Sequence, residues 1–369
     1  MKILQVINSL NTGGAEKLLL EGIPLYAKKR MTMDILLLNG ADTPFLIALK
    51  KQECCNIYSL GKGSVYNPFI ILKLIPFLKK YDIIHVHLFP AQYFVVFAKL
   101  ISFSKVPLIF TEHSTNNRRL ESSMIKWIDK YIYKFYKRII CITEEVFKII
   151  QKHSNLPKEK FSIIKNGVNV SVFKESTILN KNEIIPTFKL EHKVVIQVSS
   201  FQEPKDQPTL IKAMKHLPEY VKLILVGEGI LRKECENLVR KLNLENRIFF
   251  LGIRTDVPQL LKSSDVVVLS SKYEGLSLAS IEGMASGKPF IASNVPGLKE
   301  VVDGAGLLFP QGDEIALAEK ITALITNEIL YSKVAVACQS RALLYDINNM
   351  VEKHIALYQS IELNEKKIN

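Results

Sequence analysis

The sequence of 369 residues lacks the long apolar segment that a membrane-spanning helix requires. Its longest uncharged run, Ile83–Ala98, has 16 residues and contains two histidines, whereas a span needs roughly 20 apolar residues. The 5 cysteines show no CxxC spacing, which favours a reducing compartment over a disulfide framework. The N-terminus has no small-residue cleavage site, so we predict no signal peptide. These absences together predict a cytoplasmic protein.

The sequence also lacks the common nucleotide and metal motifs. It has no GxxxxGK[ST], no complete GxGxxG, no GxSxG and no HExxH, which disfavours a P-loop enzyme, an NAD enzyme, an α/β-hydrolase and a zinc protease. No Asp-x-Asp occurs, which removes the simplest carboxylate pair for a metal-bound diphosphate. We therefore expect no metal and no cofactor, and expect any phosphate to be held by backbone amides, a helix terminus or a lysine.

Hydrophobic residues make up 48% of the chain, which is enough for a large core, and the apolar residues follow a repeating order. Short β-rich runs alternate with amphipathic stretches, as in a parallel sheet covered by helices on both faces. The runs are KILQVIN, MDILLLN, DIIHVHLF, PLIFTEH, RIICIT and FSIIKNGV, then KVVIQVSS, KLILVGEG, RIFFLG, DVVVLSS, KPFIASN and GLLFP. The sequence predicts two doubly wound, Rossmann-like α/β domains, residues 1–172 and 173–349, joined within 171–192. A final helix at 350–369 is expected to pack back on the first domain.

The net charge of +13 lies in the first half of the chain. Residues 1–170 contain 25 Lys and Arg against 12 Asp and Glu, whereas residues 171–369 contain 24 of each class. A basic domain indicates an anionic partner, such as nucleic acid, anionic lipid or a phosphorylated substrate. The alternative is a solvated surface that only keeps the protein soluble.

The segment 265–297, DVVVLSSKYEGLSLASIEGMASGKPFIASNVPG, combines several site features. A buried strand ends in the loop KYEGLS, and a helix with Ser277 as N-cap follows. Ligands bind at this edge of open α/β sheets, where free amides and the helix dipole favour a diphosphate. Glu274 and Glu282 flank that position, and ionised carboxylates accept hydrogen bonds from sugar hydroxyls.

The E-x7-E pair within EGLSLASIEGMASGKPFIAS resembles the signature of the retaining glycosyltransferases of GT-B fold, of the large family-4 type. GGAEK, IIKNGVN, LVGEG, FFLG and SNVPGLKEVV resemble further segments of that family in the same order. The resemblance covers nearly the whole chain. It implies two Rossmann-like domains facing each other across a cleft, the first binding the acceptor and the second the nucleotide sugar.

The resemblance also implies roles for individual residues. Glu274 would contact the sugar at the reacting centre, His113 would face that sugar, and Lys205 would neutralise the departing diphosphate. The acceptor is expected at His87 and Glu16. The residues expected at the donor are Gly13, Gly14, Ser200, Lys205, Gly227, Gly275, Leu276, Ser277, Leu278 and Glu282.

One position departs from the family pattern, which usually has Arg five residues before the lysine. Here Ser200 takes that place, so one diphosphate contact is missing. His113 has a second interpretation as the cap of a strand end. His85 shares the strand parity of His87, so at least one of these two histidines is expected only to pack. The remaining histidines, His153, His192, His216 and His354, are expected at the surface.

A basic aromatic segment lies within the first domain. Residues 118–138 carry seven basic and two acidic residues, with lysines along one helical stripe. Leu120, Met124, Trp127, Tyr131 and Phe135 form a second stripe. This is either an amphipathic helix with its apolar side in the core or an interfacial helix on anionic lipid, with residues 66–80 as a second contact. The second interpretation puts the protein at the inner face of the cytoplasmic membrane.

We therefore expect a metal-independent, retaining hexosyltransferase that moves a sugar from a nucleotide-diphosphate sugar, with UDP favoured. The acceptor would be a glycan or a lipid-linked glycan in cell-surface polysaccharide biosynthesis. Two alternatives remain at this point: a catalytically inactive sugar-nucleotide-binding protein, indicated by Ser200, and a basic nucleic-acid-binding protein. The second leaves E-x7-E unexplained and lacks a nucleic-acid-binding motif, so no nucleic-acid partner is expected.

Overall fold

A computed structural model describes residues 1–113 and 123–368. The contacts divide the chain into two compact units. Unit 1 comprises Met1–Gly167 and the residues from Ile347 onward, and unit 2 comprises Val168–Asp346. The sequence prediction had the division at residues 172 and 349. A backbone hydrogen bond from Val168 N to Tyr345 O, 2.9 Å long, joins the two ends of unit 2.

Unit 1 is built on a parallel sheet of seven strands in the order β3-β2-β1-β4-β5-β6-β7. Its strands are β1 Lys2–Ile7, β2 Thr32–Leu37, β3 Ile57–Ser59, β4 Ile83–His87, β5 Leu108–Glu112, β6 Tyr136–Cys141 and β7 Phe161–Ile163. Its first helices are α1 Gly14–Lys28, α2 Pro44–Lys50, α3 Ile70–Leu78, α4 Ala91–Ile101, α5 Ser123–Lys134 and α6 Glu144–Ser154.

Unit 2 is built on a parallel sheet of six strands in the order β10-β9-β8-β11-β12-β13. Its strands are β8 Lys193–Val198, β9 Val221–Val226, β10 Ile248–Gly252, β11 Val266–Leu269, β12 Phe290–Ser293 and β13 Leu307–Phe309. Its helices are α7 Val170–Glu175, α8 Lys181–Ile184, α9 Gln207–Ala213, α10 Arg232–Lys241, α11 Val257–Ser263, α12 Leu278–Ala285, α13 Leu298–Val302, α14 Glu314–Thr326 and α15 Glu328–Leu343. The last helix of the chain, α16 Ile347–Ile368, belongs to unit 1 and packs on α1.

The predicted doubly wound α/β architecture is confirmed in both units. Each sheet begins with a central strand, β1 or β8, and winds outward on both sides, so the strand order reverses between β1 and β4 and between β8 and β11. These strands are almost entirely buried, which is why they appear in the sequence as continuous apolar runs. Ligands bind at the carboxyl ends of strands next to such reversal points.

Three local predictions were wrong. The strand β3 was missed because it is a short, partly exposed edge strand whose three residues carry no clear alternation. The predicted join at 171–192 contains two helices, α7 and α8, both within unit 2. The basic helix predicted at 118–138 ends at Lys134, and strand β6 begins at Tyr136. Residues 118–122 of that prediction lie outside the described residues.

The apolar stripe expected on this basic helix does not face the core. Trp127 is 74% exposed and Tyr131 is 47% exposed, whereas Asp129, Ile132 and Tyr133 are buried. Leu120 and the side chain of Met124 lie outside the described part of the chain. The interpretation of this stripe as a core-facing surface is therefore wrong.

Two histidines expected at the surface are buried. His153 Nε2 donates a 2.9 Å hydrogen bond to Asp129 Oδ2, and His354 Nδ1 lies 2.6 Å from the Tyr26 hydroxyl. His216 is exposed, as expected. Among the described helices, none alone is long and apolar enough to cross a membrane. The consecutive helices α14 and α15 have the necessary length and composition only when they are counted together, and they are bent by 104° at the break between them.

Candidate active site

The candidate donor site in unit 2 lies where strand β11 leads into helix α12. The loop between them carries Glu274, Gly275 and Leu276, and Ser277 is the N-cap in extended conformation. Ser277 makes no capping hydrogen bond with its side chain, so the first amides of α12 are not covered by it. The predicted helix start is confirmed, and it presents backbone N–H groups and the positive end of a helix dipole at the carboxyl edge of the sheet.

Glu274 and Lys205 form an ion pair at this edge through Oε1 and Nζ. The Ser271 hydroxyl also donates to Glu274 Oε1, at 2.8 Å. Only 16% of the Lys205 side chain and 11% of the Glu274 side chain are exposed, so this charge pair is shielded from most of the solvent. The two residues predicted from the sequence to be catalytic in this unit are thus in direct contact.

Lys205 is brought to Glu274 by the backbone of its own loop. Lys205 and Ser271 form an antiparallel bridge, and the Lys272 N–H donates to Pro204 O at 2.8 Å. The loop after β8 is therefore hydrogen-bonded directly to the loop after β11. This explains how residues distant in sequence reach one site.

Glu282 lies on α12 and is 5% exposed. It lies eight residues after Glu274, so the helix carries it away from the loop and into a buried position. The structure thus gives the two glutamates different environments, one ion-paired at the sheet edge and one on the buried side of the helix.

Two glycines allow the loops of this site to pack closely. Gly297 has φ of 80°, and a Cβ at this position would overlap the carbonyl oxygens of Glu274 and Gly275. Gly227 has φ of 137°, and a Cβ there would overlap Ser199 O. Gly227 was predicted as a donor residue, whereas the role of Gly297 in supporting the Glu274 loop was missed.

Ser200, at the position where the family pattern has arginine, is exposed. Its carbonyl accepts a 2.9 Å hydrogen bond from Gln207 Nε2, and the same amide nitrogen lies 3.1 Å from Ser199 Oγ. The backbone at this position is therefore fixed, while the side chain brings no charge to the site.

In unit 1, Gly13 is the N-cap of helix α1 and Gly14 is its first residue, at the end of the loop that follows β1. The Glu16 carboxylate turns back over Gly13, where it would overlap a Cβ, and burial raises the pKa of this carboxyl. Glu16 shares a pocket with polar side chains from the loops that follow β1 and β2, namely Asn8, Ser9, Asn11, Asn39 and Thr43. Asn8 Oδ1 is buried and has no hydrogen-bond partner among the described residues.

His113 follows β5, and His87 ends β4. His113 Nε2 lies 3.0 Å from His87 Nδ1, and His87 Nε2 lies 2.7 Å from Gln5 Oε1. Burial lowers the pKa of His113 to about 4 and the pKa of His87 well below its usual range, so both rings are neutral near pH 7. His87 is 4% exposed and both its ring nitrogens are engaged, which contradicts the prediction that it meets the acceptor.

The sequence analysis missed the polar residues that surround these histidines. Gln5, Tyr26, Thr111, His354 and Tyr358 join His85 and His87 in one buried network. The signal was present, because polar residues two positions apart recur on or directly after neighbouring strands, at His85 and His87 and at Thr111 and His113, with Gln5 on the adjacent strand. His85 only packs within this network, as the shared parity with His87 led us to expect.

Residues 1–113 and 123–368 contain no group of three or more His, Cys, Asp or Glu side chains arranged to hold a metal ion. The donor-site chemistry of the described residues comes instead from a lysine, two carboxylates and helix amides. Such a set suits a ligand that has both negative charge and hydroxyl groups.

Comparison with known proteins agrees with this chemistry. Residues 180–341 match the family described as Glycosyl transferases group 1, and residues 12–172 match Glycosyltransferase Family 4. An uncharacterized glycosyltransferase of Methanocaldococcus jannaschii is 32% identical over 281 residues, which cover 74% of this chain and 71% of that protein.

Two further proteins extend the comparison. The UDP-Gal:alpha-D-GlcNAc-diphosphoundecaprenol alpha-1,3-galactosyltransferase of Escherichia coli is 30% identical over 234 residues, and the chain spans 59% of its length. The crystal structure of Anabaena HepE in complex with UDP and glucose superposes with a TM-score of 0.84 at 23% identity, covering 98% of this chain and 100% of HepE. The chain therefore belongs to the glycosyl transferases group 1 and has the GT-B fold.

Proposed function

We propose that the protein is a retaining, metal-independent glycosyltransferase that uses a nucleoside-diphosphate sugar, with UDP as the favoured nucleotide. The observation that carries this proposal is the Lys205–Glu274 pair at the N-terminus of α12. It combines a cation for the diphosphate, a carboxylate for sugar hydroxyls and free amides between them.

The diphosphate would lie against the amides of Leu276, Ser277 and Leu278. These amides lie at the start of α12, where the helix dipole favours an anion. When the diphosphate is bound, it would compete with the Glu274 carboxylate for the Lys205 ammonium. Lys205 would then move from Glu274 to a phosphate oxygen. As the bond from the anomeric carbon to the diphosphate breaks, negative charge grows on the leaving group, and a fixed cation stabilises it most at that moment.

The two glutamates would bind hydroxyl groups. Glu274 would accept hydrogen bonds from the sugar once Lys205 has turned to the phosphate, and the buried Glu282 would accept from the ribose. The lysine and the amides together supply the positive charge for which many transferases use a divalent ion, which supports metal independence. Retention, in which the new bond forms on the face of the sugar that the leaving group vacates, follows from the family resemblance.

The relatives support the choice of nucleotide and acceptor. HepE has been crystallised with UDP and glucose, and the Escherichia coli relative is named for a UDP-galactose donor and a diphosphoundecaprenol-linked acceptor. We infer a glycan or lipid-linked acceptor for unit 1, where Asn8, Asn11, Glu16 and Asn39 line a pocket rich in hydroxyl-binding groups. This would put the enzyme in cell-surface polysaccharide biosynthesis.

The experiment is a panel of UDP-, GDP-, ADP- and dTDP-sugars, with and without EDTA. Thermal shift and nucleotide release are followed for the wild type, for Glu274→Gln, and for Glu203→Gln as control. Glu203 is a nearby carboxylate that is 69% exposed. We expect one nucleotide to stabilise the protein and to be released despite EDTA, with release lost only in Glu274→Gln. The absence of any shift would favour the inactive sugar-nucleotide-binding or nucleic-acid-binding alternatives.

We further propose that unit 1 contacts anionic lipid through α3 and α5. Trp127 and Tyr131 are exposed on α5 beside the exposed Lys126 and Lys134, and Phe69 is 70% exposed immediately before α3. Helix α4 packs on both α3 and α5, so the three helices lie side by side. Exposed aromatics among lysines are typical of surfaces that bind anionic membranes.

Vesicle co-sedimentation tests this second proposal. Wild-type protein should bind vesicles containing phosphatidylglycerol and should not bind vesicles of phosphatidylcholine alone. The double variant Trp127→Ser/Tyr131→Ser should lose binding, whereas Ile329→Ser should not, because Ile329 is even more exposed but lies on unit 2. Equal binding by both variants would contradict the proposal.

A further inference from the structure

A chain of hydrogen bonds leads to His113 on one face of the unit 1 sheet, and donor and acceptor can be assigned at each of its contacts. The chain begins at Met33 on β2 and runs through Gln5 on β1 and His87 on β4 to His113. Buried polar groups are stable only when donors face acceptors, so each contact in the chain constrains the next.

The first contact fixes the amide of Gln5. Gln5 Nε2 lies 3.2 Å from Met33 Sδ, and a thioether sulfur can only accept a hydrogen bond. The nitrogen must therefore face the sulfur. The same nitrogen also donates to the Tyr358 hydroxyl at 3.3 Å, which agrees with this orientation.

The second contact fixes the tautomer of His87. Because Gln5 Nε2 faces Met33, Gln5 Oε1 faces His87 Nε2 at 2.7 Å and can only accept. His87 therefore carries its proton on Nε2. Burial keeps this ring neutral, which leaves Nδ1 with a lone pair.

The third contact fixes the tautomer of His113. Since His87 Nδ1 can only accept, His113 Nε2 must donate across the 3.0 Å that separates them. His113 is neutral as well, so its Nδ1 is an acceptor. That atom is buried and has no hydrogen-bond partner among the described residues.

We propose that Met33, Gln5 and His87 are positioning residues that hold His113 in its Nε2–H tautomer, so that its Nδ1 accepts a hydrogen bond from a hydroxyl of a sugar substrate. This inference rests on the proposed glycosyltransferase function. The other tautomer of His113 would carry a proton on Nδ1, and a substrate hydroxyl could then only accept a hydrogen bond from it. The chain therefore selects substrates that place a hydroxyl hydrogen at His113.

The ¹⁵N NMR signals of the histidine ring nitrogens report the tautomer in the free protein, without any substrate. We expect His113 of the wild type to be protonated on Nε2. In His87→Leu and Gln5→Leu the constraint is removed and both tautomers of His113 should be populated. In His87→Asn the side-chain oxygen can accept from His113 and should restore the wild-type signal. A wild-type His113 protonated on Nδ1, or a tautomer unaffected by His87→Leu, would overturn the proposal.

Thr111→Val is the matched control. Thr111 is buried on the same face and bonds His85 Nε2 at 2.7 Å, but it is not part of the chain that leads to His113. This variant should lose stability as the others do, yet keep the His113 tautomer. Thr111→Val therefore distinguishes loss of the specific constraint on the His113 tautomer from a general loss of stability.

Kinetics with the nucleotide sugar that the protein accepts provide the second test. Losing one hydrogen bond to a substrate should lower kcat/KM roughly 10-fold in His87→Leu and Gln5→Leu, with recovery in His87→Asn. A higher KM for the donor assigns the hydroxyl to the donor sugar, and a higher KM for the acceptor assigns it to the acceptor. Unchanged kinetics in His87→Leu would overturn the substrate part of the proposal. If no nucleotide sugar were used at all, the proposed function would fail while the tautomer result would still stand.

Discussion

Lys205 and Glu274 are 69 residues apart in sequence, and in this structure they form an ion pair at the edge of the unit 2 sheet. The carboxylate that would bind the sugar thus holds the cation that would bind the diphosphate. In the proposed function a donor would separate the two, because it would provide an anion for Lys205 and hydroxyl groups for Glu274. A bare phosphate provides only the first of these.

The first prediction concerns the carboxylate. Glu274→Gln removes the anion that competes for Lys205, so free UDP should bind up to about 10-fold more tightly, the worth of one charged hydrogen bond. Sugar transfer should fall at least about 100-fold, because a contact made at the reacting centre is lost. Calorimetry with UDP and a steady-state assay measure the two effects. Weaker UDP binding would contradict the competition.

The second prediction concerns the cation. Lys205→Met should weaken UDP binding by roughly 10- to 100-fold, because a charged hydrogen bond to phosphate is lost. Lys272→Met serves as control, since Lys272 is a neighbouring lysine paired with the exposed Glu203. The affinity for UDP should decrease at high salt in the wild type but only slightly in Lys205→Met. Equal weakening in both variants would indicate a general effect of charge.

The third prediction is a gain of affinity. Ser200→Arg introduces the cation that the family pattern has at this position, on an exposed side chain whose backbone is held by Gln207. UDP should bind about 10-fold more tightly if the guanidinium reaches the diphosphate. Ser200→Gln introduces a longer polar side chain without charge and should not change the affinity. Competition binding with a fluorescent UDP analogue measures the difference.

The fourth prediction concerns the backbone of the site. Gly297→Ala requires a side chain at φ of 80° and would push it into the carbonyls of Glu274 and Gly275. We expect a loss of about 1–3 kcal/mol in the free energy of unfolding, together with weaker UDP binding. Gly312→Ala also has a positive φ but nothing within contact distance, so it should show only the smaller backbone cost and normal binding.

The fifth prediction is a dependence of stability on pH. Burial lowers the pKa of His113 to about 4 and of His354 to about 3, and it lowers the pKa of His85 and His87 well below their usual range. The unfolded chain binds protons at these histidines near pH 6.5, whereas the native protein does not. The contribution of these four histidines to the free energy of unfolding should therefore level off above about pH 7 and should fall as the pH is lowered from about 6.5 toward 4.

Urea unfolding at several pH values between 8 and 5 measures this slope. His354→Gln should show a shallower slope, because it removes one of these groups. Glu16 acts in the opposite direction, since its raised pKa makes the native state take up a proton at low pH. A free energy of unfolding that is constant between pH 7 and pH 5 would contradict the prediction.

The sequence predicted the strands and the donor-site helix well, because fully buried parallel strands and a helix that starts at Ser277 depend on local patterns. It could not predict that Lys205 pairs with Glu274, since that contact depends on how two loops after different strands hydrogen-bond to each other. It also misjudged His354, which lies in a polar helical stretch. That histidine is buried only because α16 packs on the unit 1 sheet, a contact between the two ends of the chain.

The course of the chain has a consequence for the order in which the protein folds. In sequence, unit 2 is one continuous segment between the two parts of unit 1, and α16 supplies Tyr358, which binds Gln5 and His85. During synthesis, all of unit 2 leaves the ribosome before α16 does. Unit 1 must wait, with the polar face of its sheet uncovered, until the last helix has been translated. Gln5 and His85 therefore reach their native surroundings only after α16 has been made.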